Sequence, residues 1–141
     1  MKTEQVLDAV VSKLTSLTTT GTNITRARIY NHESSALPAL VVFMGQDEPT
    51  DILSQSLIDW NLTIIIESTV QSTSQVDEIL NTIRNEVHTA LMADYTLGLS
   101  FVKNLLPGTV GEPELEQGSR PIAKQRMEFT VHYRTQYGNL S

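Results

Sequence analysis

His32, His88 and His132 are the first side chains to weigh for chemistry, since an imidazole can ligate a metal or move a proton near neutral pH. They sit in different stretches of the chain, and none has a second ligand two, three or four residues on. The His-x-x-x-His and His-Glu-x-x-His zinc patterns are therefore absent, and the three read as surface or partly satisfied histidines. The chain has no cysteine, which removes thiolate metal sites, disulfides and thiol nucleophiles. Serines are frequent, but no Gly-x-Ser-x-Gly elbow places one as a nucleophile. Gly108 and Gly111 give a glycine-bearing turn without the Lys-Ser/Thr pair and following helix of a phosphate loop.

Charged side chains form the more suggestive groups. Asp47, Glu48 and Asp51 make one acidic cluster, and Glu112, Glu114 and Glu116 make a second. Carboxylate oxygens suit a hard cation, and two carboxylates across a cleft suit hydrolysis. Neither cluster has the Asp-x-Asp-x-Asp-Gly order of a calcium loop, so solvated loops are the plainer expectation. Arg26 and Arg28 share one face of a strand-like run, and Arg126 and Arg134 share one face of another. In a sheet they form a basic stripe that either pairs with the acidic loops of a neighbouring copy or faces solvent. Exposed pairs contribute only about 0–1 kcal/mol each, so they would set register more than affinity.

The elements that must position these groups follow from hydrophobic spacing. Val6, Leu7, Val10, Val11, Leu14 and Leu17 recur every three or four residues, which predicts a helix over Thr3–Leu17 capped by Thr3. The Thr18–Thr22 run ends it. Ile24–Tyr30 alternates like a strand, Asn31–Ala36 is a polar turn, and Leu37–Gly45 reads as a strand buried on both faces, with Pro38 at its entrance. Gln46–Leu53 reads as an acidic, Pro-containing loop. Ser56–Glu67 is the clearest strand, with Ile58, Trp60, Leu62, Ile64 and Ile66 on one face and Asp59, Asn61, Thr63 and Glu67 on the other. Ser68–Thr73 is a polar link. A helix with a Ser74 cap then carries the stripe Val76, Ile79, Leu80, Ile83, Val87, Leu91 as far as Met92. Ser100–Leu106 is a further strand, and Pro107–Pro121 a long loop or hairpin tip. Ala123–Thr135 is the second clear strand, placing Gln125, Met127, Phe129, Val131 and Tyr133 opposite Arg126, Glu128, Thr130, His132 and Arg134. The tail Gln136–Ser141 is polar.

The expected fold is α+β: about five strands in a mostly antiparallel or mixed sheet, two helices on one face, in the order α-β-β-β-α-β-β. The length of 141 residues suits a single domain over 1–141. A formal net charge of -6 disfavours wrapping nucleic acid. Charged residues are only 18%, below the usual quarter or so, which hints at surface that meets a partner. The longest apolar runs, Ala39–Met44 and Ile64–Ile66, are far shorter than the roughly 20 residues of a spanning helix. Glu4 and Asp8 near the start, without a long apolar stretch, argue against secretion or a membrane role.

Taken in order, these stretches resemble a known family. The helix, the Thr20-Gly21-Thr22 turn, an Arg-bearing strand, Leu37-Pro38-Ala39 with the following Gly45 and acidic Asp47-Glu48, the Trp60–Glu67 strand, the Val76–Leu80 helix start and the closing Met127–Arg134 strand resemble the tail terminator proteins of long-tailed bacteriophages, the minor tail protein U class. The resemblance spans nearly the whole chain, through motifs that are individually weak, and Pro107–Pro121 has no counterpart in it. It implies a structural protein, not an enzyme, with no catalytic residue and no cofactor or metal. It further implies a hexameric ring that caps the tail tube, stops its elongation and offers a docking surface to the head connector. The implied partners are further copies of the chain, the tail tube protein and a head–tail connector or neck protein, with DNA passing through the lumen without sequence-specific binding. The implied location is the head-proximal end of the virion tail, after assembly in the host cytoplasm. An acidic ring suits a DNA conduit, because like charge discourages sticking. The loops Gly45–Ser54 and Pro107–Arg120 are the candidate contacts to lumen or partners. The competing readings are another neck or head–tail joining protein, and a small α+β ligand-binding domain or enzyme with a deep apolar pocket.

Overall fold

The computed structural model describes residues 1–26, 37–53, 56–71, 75–116 and 121–141. Its elements are α1 (Lys2–Leu14), β1 (Ile24–Arg26), β2 (Ala39–Ile52), β3 (Leu57–Gln71), α2 (Val76–Met92), β4 (Val102–Val110), β5 (Glu114–Glu116) and β6 (Ile122–Gln136). They form one sheet in the order β1-β2-β3-β6-β4, with β5 also paired to β6. Only β1 and β2 run parallel; the other described pairs are antiparallel. The expected α+β architecture is present, with β5 as a short addition.

Both long central strands alternate as their sequences require. Leu62, Ile64 and Ile66 of β3, and Met127, Phe129, Val131 and Tyr133 of β6, are all buried on one face. Above them lie Val6, Leu7, Val10 and Leu14 of α1 and Leu80, Ile83, Val87 and Leu91 of α2, in one continuous core. Each such side chain contributes about 1.5–3 kcal/mol of transfer free energy, which is what holds helices of this length to a sheet. Glu86 of α2 accepts the Thr19 N–H at 2.9 Å and a second hydrogen bond from the Thr19 hydroxyl, tying the turn after α1 to α2.

Several boundaries differ from the sequence expectation. α1 begins at Lys2 with Met1 in the capping position, so Thr3 is inside the helix and caps nothing. It ends at Leu14, and Leu17 instead accepts the Gly21 N–H at 2.8 Å, where Gly21 takes the left-handed φ of +56° that glycine tolerates. In α2 the capping position is Gln75, also left-handed, while the expected cap Ser74 lies outside the described residues. The strand expected to reach Tyr30 is described as far as Arg26. The expected double burial after Pro38 holds for Ala39–Val42 and stops at half-buried Phe43.

The largest correction concerns Gln46–Leu53, which is not a loop: β2 continues to Ile52, hydrogen-bonded to β3. Register shifts between Met44 and Asp47 and between Pro49 and Asp51 absorb the polar residues. Pro49 stands opposite Trp60 immediately before the second register shift, a bulge setting in which a strand tolerates proline. Gly45 is required here, since a Cβ would stand only 3.0 Å from the Thr63 carbonyl oxygen on β3. Ser68–Gln71 likewise belongs to β3 rather than to a link, because its pairing with β6 runs on to Ile122. Pro107–Val110 extends β4, and Glu114–Glu116 forms β5, so most of the described part of the expected long loop is sheet.

Candidate functional site

The helices leave one sheet face uncovered, and most of the singled-out charges fall on it. Outward positions on β3 are Asp59, Asn61, Thr63, Ile65 and Glu67; opposite them on β6 stand Arg134, His132, Thr130, Glu128 and Arg126. Two ion pairs bracket the row. At one end Arg126 Nε donates to Glu67 Oε2 at 2.9 Å and its guanidinium lies 5.6 Å from the Phe43 ring centroid. At the other, Arg134 grips Asp59 with Nε–Oδ1 at 2.7 Å and Nη2–Oδ2 at 3.3 Å, while His132 Nε2 lies 3.5 Å from Asp59 Oδ2. Hydrogen bonding from Arg134 holds the Asp59 carboxyl below its ordinary value, against the opposing effect of burial.

Arg26 pairs within its own chain too, bridging Glu4 Oε2 at 3.0 Å and Asp8 Oδ1 at 3.1 Å and so clamping β1 to α1. Arg28 lies outside the described residues. Arg26→Ala is expected to lower stability by no more than about 1 kcal/mol in a urea melt, with the loss shrinking at high salt, because the pairs are exposed.

The first acidic cluster is split between the two sheet faces by strand alternation, with Asp47 opposite Leu62, Glu48 opposite Asn61 and Asp51 opposite Asp59. Asp47 turns toward the core face, where its Oδ2 accepts the Tyr133 hydroxyl at 2.6 Å. Its Oδ1 is shielded from water and has no hydrogen-bond partner among the described residues. Burial pushes the Asp47 carboxyl above its ordinary value, and burial with the nearby carboxylate pushes the Tyr133 hydroxyl up as well. Tyr133 in turn stacks on Trp60 at 6.5 Å and meets Phe101 edge-on at 6.4 Å. Sequence reasoning missed this aromatic corner; Gly45 within a strand pattern was the one signal of the bulge that creates it. Glu48 and Asp51 remain exposed on β2.

The second cluster follows β4. Glu112 and Glu114 join Glu67, Lys124 and Arg126 around an open cleft of ≈ 340 Å³ at the corner of the uncovered face. Glu114 stands opposite Lys124 in the β5–β6 pairing, and Glu116 is exposed opposite Ile122. A second cleft, ≈ 370 Å³, is lined by Asn81, Arg84, Asn85 and His88 of α2. Both are open and polar. Among the described residues no three His, Asp or Glu side chains converge as a metal site would require.

This arrangement offers surfaces and strand edges. No family model matches the chain, and no curated protein matches it. Among solved structures its fold is similar to that of a chain in the virion of a native gene transfer agent particle, with a TM-score of 0.52 over 92% of this chain and 95% of that one. The two sequences are 11% identical, so what they share is the fold.

Proposed function

We propose that this chain is a structural protein of a phage-like virion and, within that class, a tail terminator that assembles as a ring, caps the tail tube and receives the head connector. The observation that carries the reading is the fold shared nearly end to end with a chain of a virion particle. The order of sequence stretches that resembles the terminator class supports the finer assignment. Residues 1–141 act as one domain in this reading, with a ring of six copies at the head-proximal end of the tail. The exposed acids Glu48, Asp51, Glu112, Glu114 and Glu116 are its candidate contacts, and the DNA path needs no specific base contacts.

Light scattering tests the assembly, and negative-stain imaging with purified tail tubes tests the role. The expected result is a particle of about six times the 15.7 kDa protomer and tubes closed at one end by the protein. A ring that binds portal-side proteins but leaves tube length uncontrolled would mark a neck or head–tail joining protein instead. A persistent monomer with a metabolite in a pocket overturns both. Glu112, Glu114 and Glu116 changed together to Gln should leave the circular dichroism spectrum intact, since all three are exposed, and should lower tail completion; unchanged completion removes that corner from the contact surface.

A further inference from the structure

Two strand edges lie free at opposite sides of the sheet. On β2 the parallel partner β1 covers only Leu40–Val42, and no strand borders Asp47–Ile52 on that side among the described residues. On β4 the side away from β6 has no partner strand among them either. The sheet's own register sets these edges at one height: Glu48 pairs with Asn61, Asn61 with His132, and His132 with Asn104. Successive antiparallel pairings also make β2 and β4 run in opposite directions. A copy rotated about an axis parallel to the strands keeps height and direction. Its β4 edge then meets β2 antiparallel, with Asn104 level with Glu48.

We propose that the Asp47–Asp51 edge of one copy docks against the Phe101–Leu105 edge of a second copy, with Lys103 set between Glu48 and Asp51. This deepens the ring reading above and rests on it. Lys103 is the extra residue of the bulge between Val102 and Asn104, exposed and without an ion pair to any described residue. Glu48 and Asp51 are exposed, while Asp47 is committed to Tyr133. Lys103 is the sole charge of the β4 segment, and all three charges of the β2 segment are negative. Charge therefore selects the kind of contact. Pairing β2 with β2 sets Glu48 and Asp51 against their own copies, and pairing β4 with β4 sets Lys103 against Lys103; both are repulsive. Only the unlike pairing is attractive, and a contact between unlike patches is what closes a ring rather than a two-fold dimer. Main-chain hydrogen bonds between edges, to which the Pro49 nitrogen contributes none, supply the affinity, and the charges supply the register.

The absence of cysteine gives a direct test. Glu48→Cys combined with Lys103→Cys should yield, on oxidation of the assembled protein, a ladder of linked oligomers on a denaturing gel, and neither single variant should go beyond a linked dimer. Lys103→Glu and Glu48→Lys should each weaken self-association by at least about tenfold, and their combination should recover most of it. Rings that form normally in every charge variant and show no ladder overturn this contact while leaving the ring reading intact. A wild-type chain that never self-associates, alone or on tail tubes, overturns the ring reading and this contact with it.

Discussion

Ile64→Asp is expected to abolish folding, seen as loss of the cooperative urea transition and of near-ultraviolet circular dichroism. Ile64 is 1% exposed at the centre of β3, between Met44 on β2 and Phe129 on β6 and beneath the helices. Removing its side chain forfeits about 2–3 kcal/mol of apolar burial. A carboxylate in its place costs several more, because its cross-strand neighbours Met44 and Phe129 are apolar and the Tyr133 hydroxyl on that face is already given to Asp47. Together these approach the whole stability of a domain, about 5–15 kcal/mol. The neighbouring substitution is the control. Ile65 points to the uncovered face and is half-buried between Phe43 and Glu128, so Ile65→Asp should cost only about 1–2 kcal/mol and leave the transition cooperative. Equal damage from both would mean that the uncovered face is packed as tightly as the helix-covered one, contrary to the alternation in β3.

That alternation was legible in the sequence for a physical reason. β3 and β6 sit at the centre of the sheet with one face on the core, so burial enforces period two, and the stripes of α1 and α2 are enforced in the same way. Edges carry no such constraint. β2 beyond Gly45 lies at the rim, where Gln46, Glu48 and Asp51 keep their water and Pro49 sits beside a bulge, so nothing in its composition separates a strand from a loop. Ser68 is wholly buried yet polar, its hydroxyl satisfied by the Gln125 carbonyl at 3.3 Å, which explains why Ser68–Gln71 read as a link. Bulges are the other blind spot. A single shift after Met44 exchanges which residues of β2 face the core, and so carries Asp47 from an expected solvated loop to the aromatic corner. Arg126 and Arg134 share one sheet face as their alternation implied, but the carboxylate partners Glu67 and Asp59, like Glu4 and Asp8 on Arg26, come from other elements, and pairing of that kind is fixed only by the assembled fold.

Tyr133→Ala is expected to cost about 3–5 kcal/mol, since it removes a ring that is 2% exposed and wedged against Trp60 and Phe101. Tyr133→Phe separates the hydroxyl from the ring. It keeps both aromatic contacts but takes away the one donor to Asp47 among the described residues, leaving neither carboxylate oxygen with a partner among them. Because Asp47 is only half-buried, the cost should fall at the low end of the usual range, about 1 kcal/mol. Asp47→Asn should act in the opposite direction: the amide oxygen still accepts from Tyr133, no anion is buried, and the melting temperature should rise by about 2–6 °C at neutral pH. In that background Tyr133→Phe should cost less than in the wild type, which a double-mutant cycle reads directly. The pH dependence fixes the sign. Burial raises the Asp47 carboxyl in the folded state, so the fold binds its proton more tightly than the unfolded chain does. Its relative stabilisation is complete below the ordinary value of about 3.9 and is lost as pH rises through the raised folded value. Asp59 has the reverse slope: it is lowered by Arg134, so its contribution is present above the ordinary value and is lost as pH falls through the lowered one. Asp47→Asn should therefore steepen the loss of stability on acidification, because the opposing group is gone while the lowered carboxyls of Asp59 and Asp94 remain. A profile that does not change would place the Asp47 carboxylate in water, and the aromatic corner would then be no burial site for charge.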